Sequence, residues 1–326
     1  MHKETIVIGA GIAGVLIAKS LNATLITKHD EFVFLPTTPD YISNQEVNCS
    51  YPVSKCHDDV IIQEVTRVDT NKQEVHTAQE TYSYEYLVIA TGAQAFAPIP
   101  GTDKHAQAFY NKEDAKQLVD TKNQDVVIIG AGPTGIEVAF ELARNNSVTL
   151  LQRSKIIPMY SRKLQEYTRK QLQKANIALQ EDTLVSKVTK KYVHTDKEKL
   201  TYDVCISVTG VKANIPKGIV SEKGILVNKY LQVQDAPTTF AAGDCAQSGN
   251  PLTAQAAHYE ADLVINNIQA HKTNKQMKEN DFTSKGMFLL LGDTAAMDAP
   301  FGVLTGWPAK TLRKVYYRLQ MRKYRK

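Results

Sequence analysis

Short apolar runs that end in glycine and pass into helical periodicity recur along this chain. "TIVIGAGIAGVLIAKSL" opens with such a run, turns at glycine and continues as a helix pattern. "ATLITKHDEFVFLP" predicts a second strand that Pro36 ends, and "YEYLVIATGA" (84–93) a buried strand closing in small residues. The opening pattern then returns about 120 residues on. "DVVIIGAGPTGIEVAFELA" (125–143) predicts strand, turn and helix again, and "SVTLLQRS" (147–154) the next strand. An internal repeat of this kind sets the organisation of the whole chain.

The remaining pattern fills in around the repeat. Residues 163–179 predict a helix and 200–214 a strand ending much like the 84–93 strand. Residues 224–234 and 238–246 predict strands, 251–271 a helix, and 285–297 a strand or hairpin. At roughly 100–200 residues per domain, 326 residues suggest two. Apolar content of 43% with 22% charged residues is that of a globular protein with a real core. No run approaches the ~18–20 apolar residues of a membrane span. A strand begins almost at the N-terminus, so no signal peptide is expected and the expected location is cytoplasmic.

The two glycine turns carry chemistry. Gly9, Gly11 and Gly14, followed by Ile12 and Ala13 at the helix start, form GxGxxG between strand and helix. The first glycine allows the tight turn, the second lets backbone approach a pyrophosphate, and the third lets helix and strand pack closely. The helix N-terminus then offers unpaired N–H groups to phosphate. Gly130, Gly132 and Gly135, with Pro133 and Thr134, repeat the pattern in full. Two complete motifs suggest two dinucleotides, most economically a flavin and a nicotinamide.

"IVIGAGIAG", "YEYLVIATGA", "VVIIGAGPTGIEVAFEL", "SVTGVKAN" and "TTFAAGDCA" stand in an order and spacing that resemble the two-dinucleotide flavoprotein reductases. Within that superfamily, "GPTGIEVAFEL", "GVKAN" and "TAQAAH" are most similar to type II NADH:quinone dehydrogenases. The resemblance implies an α/β fold of two Rossmann-like domains, the second inserted in the first. It divides the chain into a FAD-binding part (1–108), an NAD(P)H-binding domain (109–213), the rest of the FAD domain (214–280) and a C-terminal flavin-site and membrane-surface segment (281–326). It implies that Gly9, Gly11 and Gly14 hold the FAD pyrophosphate and that Ala90, Thr91 and Gly92 line the flavin side. Asp244, after Gly243, would accept hydrogen bonds from the ribityl and pyrophosphate region. Gln255 and Ala256 would sit by the flavin ring, where that family binds the quinone head. Glu137 would lie between flavin and nicotinamide, Lys285 would approach the flavin, and Gly210 would belong to the nucleotide cleft. From the residues alone, Asp244 also suits an N-cap and Glu137 an ordinary first-turn glutamate.

Three departures from the family pattern matter. The acid that ends the second strand of the FAD unit falls at Thr27, beside Lys28, with Asp30 and Glu31 as substitutes. At the corresponding place in the second unit stand Gln152 and Arg153, where an acid would grip the ribose 2′-hydroxyl of NAD. That leaves NADH and NADPH both open as hydride donors. Tyr259 replaces a glutamine of the quinone motif.

Cys49, Cys56, Cys205 and Cys245 form no CxxC pair and no zinc spacing, and the eight histidines show no ligand spacing, so no metal is expected. The tail is different in kind. Residues 310–326 carry eight Lys or Arg and no acid; subtracting those eight from the chain's formal +5 leaves −3 on residues 1–309. Pro308 suits a helix start. Leu312, Val315, Tyr316 and Leu319 then share one face, Lys314, Arg318 and Arg325 lie opposite, and Tyr317, Met321 and Tyr324 form a second stripe. Such a helix suits an anionic membrane surface. Basic charge confined to one end argues against nucleic acid.

The expected protein is therefore an FAD-dependent NAD(P)H dehydrogenase of the respiratory chain. It would pass electrons to a membrane quinone, menaquinone or ubiquinone, from the inner face of the cytoplasmic membrane, peripherally and with a homodimer left open. Two alternatives stay open: a soluble reductase with a protein, disulfide or sulfide acceptor, and a flavin-binding signalling or assembly protein.

Overall fold

The structure is a computed structural model that describes residues 1–325. The expected helix 308–326 therefore ends at a residue, Lys326, outside the described ones. Two sheets form the body, the second parallel and the first parallel at its centre with antiparallel strands added. In the first, His2–Ile8 lies between Thr24–Thr27 and Thr81–Ile89. Val60–Ile62 extends one side, and Ala236–Ala241 and Gln232–Val233 the other. In the second, the order is Gln107–Ala108, Val204–Ser207, Asp125–Ile129, Ser147–Leu151 and Ala178–Gln180. Strands buried on both faces read as continuous apolar runs, which is why "IVI", "LVI" and "VVII" stood out.

Each sheet carries a helix directly after its central strand: α1 (Ile12–Leu21) in the first. A short helix, α2 (Thr38–Ser43), follows in the first unit, and α3 (Pro133–Leu142) and α4 (Arg162–Lys174) belong to the second. The long helix α5 (Ala254–Lys272) packs back on α1, capped by Thr253, whose hydroxyl accepts from the Ala256 N–H at 3.2 Å. Three antiparallel strands follow, Met287–Leu291, Thr294–Ala299 and Gly302–Thr305, and then α6 (Trp307–Tyr324). The segment 24–36 differs from its expected single strand. It breaks after Thr27, and Phe32–Val33 leaves the sheet to pair with Ser50–Tyr51. The expected strand 224–234 is likewise two short ones separated by a turn.

The chain passes between the units along Ala93–Ala95 and Val211–Ala213, which pair antiparallel. Asn214 locks this ribbon. Its N–H donates to the Gly92 carbonyl at 2.9 Å and its side chain to the Thr91 carbonyl at 3.2 Å, while the Thr91 hydroxyl donates to the Asn214 carbonyl.

α6 lies on the body by the stripe Arg313, Tyr317, Met321 and Tyr324. Tyr324 is fully buried, its ring 4.4 Å from that of Phe32 and 6.0 Å from that of Phe34, and its hydroxyl 2.5 Å from His258 Nε2. Lys19 closes the helix end by donating to the carbonyls of Lys323 and Arg325, both at 2.8 Å. The face bearing Leu312, Val315, Tyr316 and Leu319 points away, each residue 36–52% exposed. Tyr324→Ala should therefore cost about 3–5 kcal/mol of unfolding free energy, whereas Leu319→Ala should stay within about 0.5 kcal/mol. Urea denaturation of the two variants distinguishes the faces, and equal losses would contradict this packing.

Candidate functional site

Both glycine turns have the geometry that phosphate binding needs. Gly9 has φ +102°, and a Cβ there would stand 2.4 Å from the Ala90 carbonyl oxygen; a Cβ on Gly14 would stand 1.9 Å from the Gly9 carbonyl oxygen. Gly130 and Gly135 repeat this, at 2.4 Å from the Val208 oxygen and 1.9 Å from the Gly130 oxygen. The middle glycines are the opposite case. A Cβ on Gly11 or Gly132 would meet nothing within 4 Å, so both open onto space. Gly11 and Gly132 are the N-caps of α1 and α3, and neither helix receives a side-chain cap. The first N–H groups of both helices are therefore aimed at open space with a favourable dipole, a cradle that a pyrophosphate fits.

Around the first cradle the fold assembles the expected residues. Ala90–Gly92 follow the neighbouring strand, and Gly243 (φ +76°) comes to the side chain of Ala13. Asp244 is not the N-cap that its position also allowed, since α5 begins ten residues later. It stands in a cleft with Ser248, Leu252, Ala256 and Glu260. Burial raises its carboxyl pKa against the pull of the Tyr110 hydroxyl, which donates at 3.3 Å. Glu260 holds this loop from below. Its carboxylate accepts from the Gly243 N–H (2.6 Å), the Ser248 hydroxyl (2.5 Å) and the Asn250 amide (2.8 Å). Tyr110 and Glu260 are absent from the sequence-derived set. Glu260 had one signal, an acid on the small-residue face Ala256, Ala257, Ala261.

Other expected residues are engaged elsewhere. The Thr27 hydroxyl donates to the His29 carbonyl at 3.3 Å. Lys28 pairs with Glu64 at the surface. Asp30 accepts from the Val53 N–H at 2.9 Å, and Glu31 pairs with Lys112 at 2.9 Å. The Gln255 side chain accepts from the backbone N–H of Lys285 at 2.8 Å; the Lys285 side chain is exposed. Tyr259 bonds Asp281 at 2.5 Å through its hydroxyl. Gly210, at φ +139°, follows the second sheet, and its carbonyl accepts from the Phe96 N–H at 3.1 Å.

Glu137 is no exposed first-turn glutamate. It is buried, accepts from the Leu290 N–H at 2.8 Å, and lies 3.7 Å from Arg313 of α6. Arg313 in turn donates to both oxygens of Asp40 (2.9 and 3.3 Å) and to the Pro36 carbonyl (3.1 Å). Burial pushes Glu137 up to about 7, with Asp40 and Glu141 adding to it and Arg313 and the Leu290 N–H opposing. All four cysteines are buried and none is in a disulfide. Burial raises Cys49, and pushes Cys205 to about 12 and Cys245 to about 11, the reverse of a redox thiolate. Among the described residues no cluster of His, Cys, Asp or Glu could hold a metal ion.

Residues 3–261 match the family model for pyridine nucleotide-disulphide oxidoreductases. The chain belongs to this family. Among curated members, it is 24% identical to the type II NADH:quinone oxidoreductase of Staphylococcus epidermidis, over 96% of this chain and 94% of that one. It is also 24% identical to the external alternative NADH-ubiquinone oxidoreductase of Yarrowia lipolytica mitochondria, over 81% of this chain. It spans only 59% of that mitochondrial protein's length. The fold is that of NDH2 from Plasmodium falciparum, solved with NADH: TM-score 0.86, 18% identity, 98% of this chain and 94% of that one.

Because Glu137 titrates higher in the folded chain than its ordinary 4.5, the fold favours its protonated form. Its contribution is intact below about 4.5 and is lost as pH rises toward about 7. Glu137→Gln should remove that part of the pH dependence. Urea midpoints between pH 4.5 and 8 should fall less steeply in the variant, and parallel curves would refute the assignment.

Proposed function

We propose that the protein is an FAD-dependent NAD(P)H dehydrogenase that passes two electrons from a reduced nicotinamide to a quinone at a membrane surface. One observation carries this reading: two uncapped helix N-termini, each behind an open glycine, stand in one chain whose cysteines are buried thiols. The first cradle, with Asp244 and Gly243 beside it, fits FAD. The second, with Gln152 and Gly210, fits the nicotinamide dinucleotide that supplies the hydride. The similarity over nearly the full length to a type II NADH:quinone oxidoreductase supports the same pairing.

Bound FAD supplies the two-electron chemistry. The chain's own groups bind and orient. α1 and α3 present N–H groups to the two pyrophosphates, and Asp244 accepts from hydroxyls of the flavin's sugar chain. Glu260 fixes the loop that carries Asp244. Ala256 and Gln255, at the start of α5, line the side from which an acceptor ring approaches, and the Gln255–Lys285 bond closes the C-terminal segment over that side. Glu137, on the second unit, accepts from the Leu290 N–H of the C-terminal strands, and its burial favours the protonated carboxyl.

The acceptor follows from α6. No described helix is long and apolar enough to cross a membrane. Yet Leu312, Val315, Tyr316 and Leu319 face outward together, near Trp307 (77% exposed) and Phe301 (81%). Lys314, Arg318 and Arg322 are exposed along the same helix. An apolar face with basic flanks lies flat in an anionic interface, each cation adding about 1 kcal/mol. This supports peripheral binding to the anionic inner face of the cytoplasmic membrane, where lipid quinone is found.

Anaerobic mixing of the yellow protein with NADH or NADPH should bleach the flavin, and a menaquinone analogue should restore its colour within the same turnover time. A flavin that neither nucleotide bleaches would end the dehydrogenase reading. Gly11→Ala should fold yet lose bound FAD at least tenfold, while Gly132→Ala should keep FAD and lose bleaching, because neither new Cβ meets protein within 4 Å. The triple variant Leu312→Ser, Val315→Ser, Leu319→Ser should bind phosphatidylglycerol vesicles at least tenfold more weakly. Unchanged sedimentation with vesicles would exclude α6 as the membrane contact.

A further inference from the structure

The end of strand Ser147–Leu151 carries a feature that the dehydrogenase reading does not use. Gln152, the next residue, folds its side chain back on the second glycine turn: its Oε1 accepts from the Ala131 N–H at 2.8 Å. Its Nε2 donates to the Ser154 hydroxyl at 3.1 Å and weakly to the Lys155 carbonyl at 3.5 Å. The position from which a carboxylate would hold an adenosine ribose is thus filled by a neutral amide already committed to backbone. It offers no charge to repel a phosphate on the 2′-oxygen.

The surrounding charges sharpen this. The loop 152–155 is pinned from the other side, where the Thr183 N–H donates to the Gln152 carbonyl (2.9 Å) and the Asp182 N–H to the Ser154 carbonyl (3.3 Å). The two acids on that side are both neutralised. Glu181 takes a two-point bond from Arg169, at 2.9 and 2.8 Å, and Asp182 pairs with Lys155. Arg153 is left over. It is exposed, and no hydrogen bond or ion pair among the described residues engages it. The backbone that carries this guanidinium is already held, so binding need not order the loop, and the planar fork matches two phosphate oxygens.

We propose that the second nucleotide site is built for a 2′-phosphorylated adenosine, so that NADPH is the favoured hydride donor and Arg153 holds its 2′-phosphate. Gln152 acts as a positioning residue, fixing the loop while leaving the site without negative charge. The proposal rests on the reading of the second glycine turn as the nicotinamide dinucleotide site, and the test separates the two.

Isothermal titration of the purified, FAD-loaded protein with adenosine 2′,5′-bisphosphate and with 5′-AMP reads the site without turnover. The bisphosphate should bind at least tenfold more tightly. Arg153→Ala should abolish that preference, and Gln152→Glu should reverse it. In stopped-flow bleaching, the ratio of kcat/KM for NADPH over NADH should exceed one and fall at least tenfold in Arg153→Ala. Equal binding of the two probes, or preference for 5′-AMP, overturns the proposal and leaves the dehydrogenase reading standing. A preference that survives Arg153→Ala overturns the role of Arg153. Failure of both probes to bind removes the nucleotide site itself, and the proposal with it.

Discussion

One guanidinium joins the three parts of this molecule. Arg313 reaches from α6 to Asp40 and the Pro36 carbonyl in the first unit and toward Glu137 in the second. It does so from a buried position, its guanidinium 4.7 Å from the centre of the Tyr317 ring. An isolated charge in such a place costs several kcal/mol. Asp40 offsets this by accepting from one guanidinium nitrogen with both oxygens, and Glu137 and the aromatic face add to it. The pairing also bears on the state of Glu137. Arg313 lies closer to Asp40 (2.9 Å) than to Glu137 (3.7 Å), so Glu137 gets only a partial share of the positive charge and burial dominates its proton affinity. The C-terminal helix is thus fixed by a polar contact with directional demands, and the apolar stacking of Tyr324 on Phe32 and Phe34 completes the seat.

What the sequence revealed depended on whether the physics was local. The glycine turns were legible because the spacing that sets Gly14 on the Gly9 carbonyl and Gly135 on the Gly130 carbonyl is local, although the approach of Gly9 to Ala90 and of Gly130 to Val208 comes from the fold. The strands were legible because burial on both faces leaves a run of Val, Ile and Leu. The amphipathic pattern of α6 was legible too, but not its orientation. The broad apolar face and the narrow stripe of Tyr317, Met321 and Tyr324 were both candidates for the body. The stripe won because it contains Arg313, whose partner Asp40 lies some 270 residues earlier and leaves no mark at that distance. The same limit hid Tyr110 and Glu260, whose partners are a loop carboxylate and backbone groups brought in by the fold. The internal partners of Asp30 and Glu31, a 3₁₀ turn and a lysine from elsewhere in the chain, were hidden in the same way.

The two units differ at equivalent places, and the difference is chemical. In each, the first glycine N–H is tied to the end of the adjacent strand, Gly9 to the Ile26 carbonyl and Gly130 to the Leu151 carbonyl. The frames are therefore alike. The residue following that strand contact is Thr27 in one unit, turned to its own loop, and Gln152 in the other, turned to the glycine turn. The same scaffold thus ends its second strand in two chemically different ways through single side chains, with no change in backbone plan.

The ribbon of Ala93–Ala95 and Val211–Ala213 has a mechanical meaning. Both covalent crossings between the units run side by side, joined by the bonds between Thr91 and Asn214. The Arg313 contact joins the same two units at a second place, with partners on each. Two attachments at separate places restrain relative rotation of the units more than the ribbon alone would, and one of the two is a side chain of the C-terminal helix.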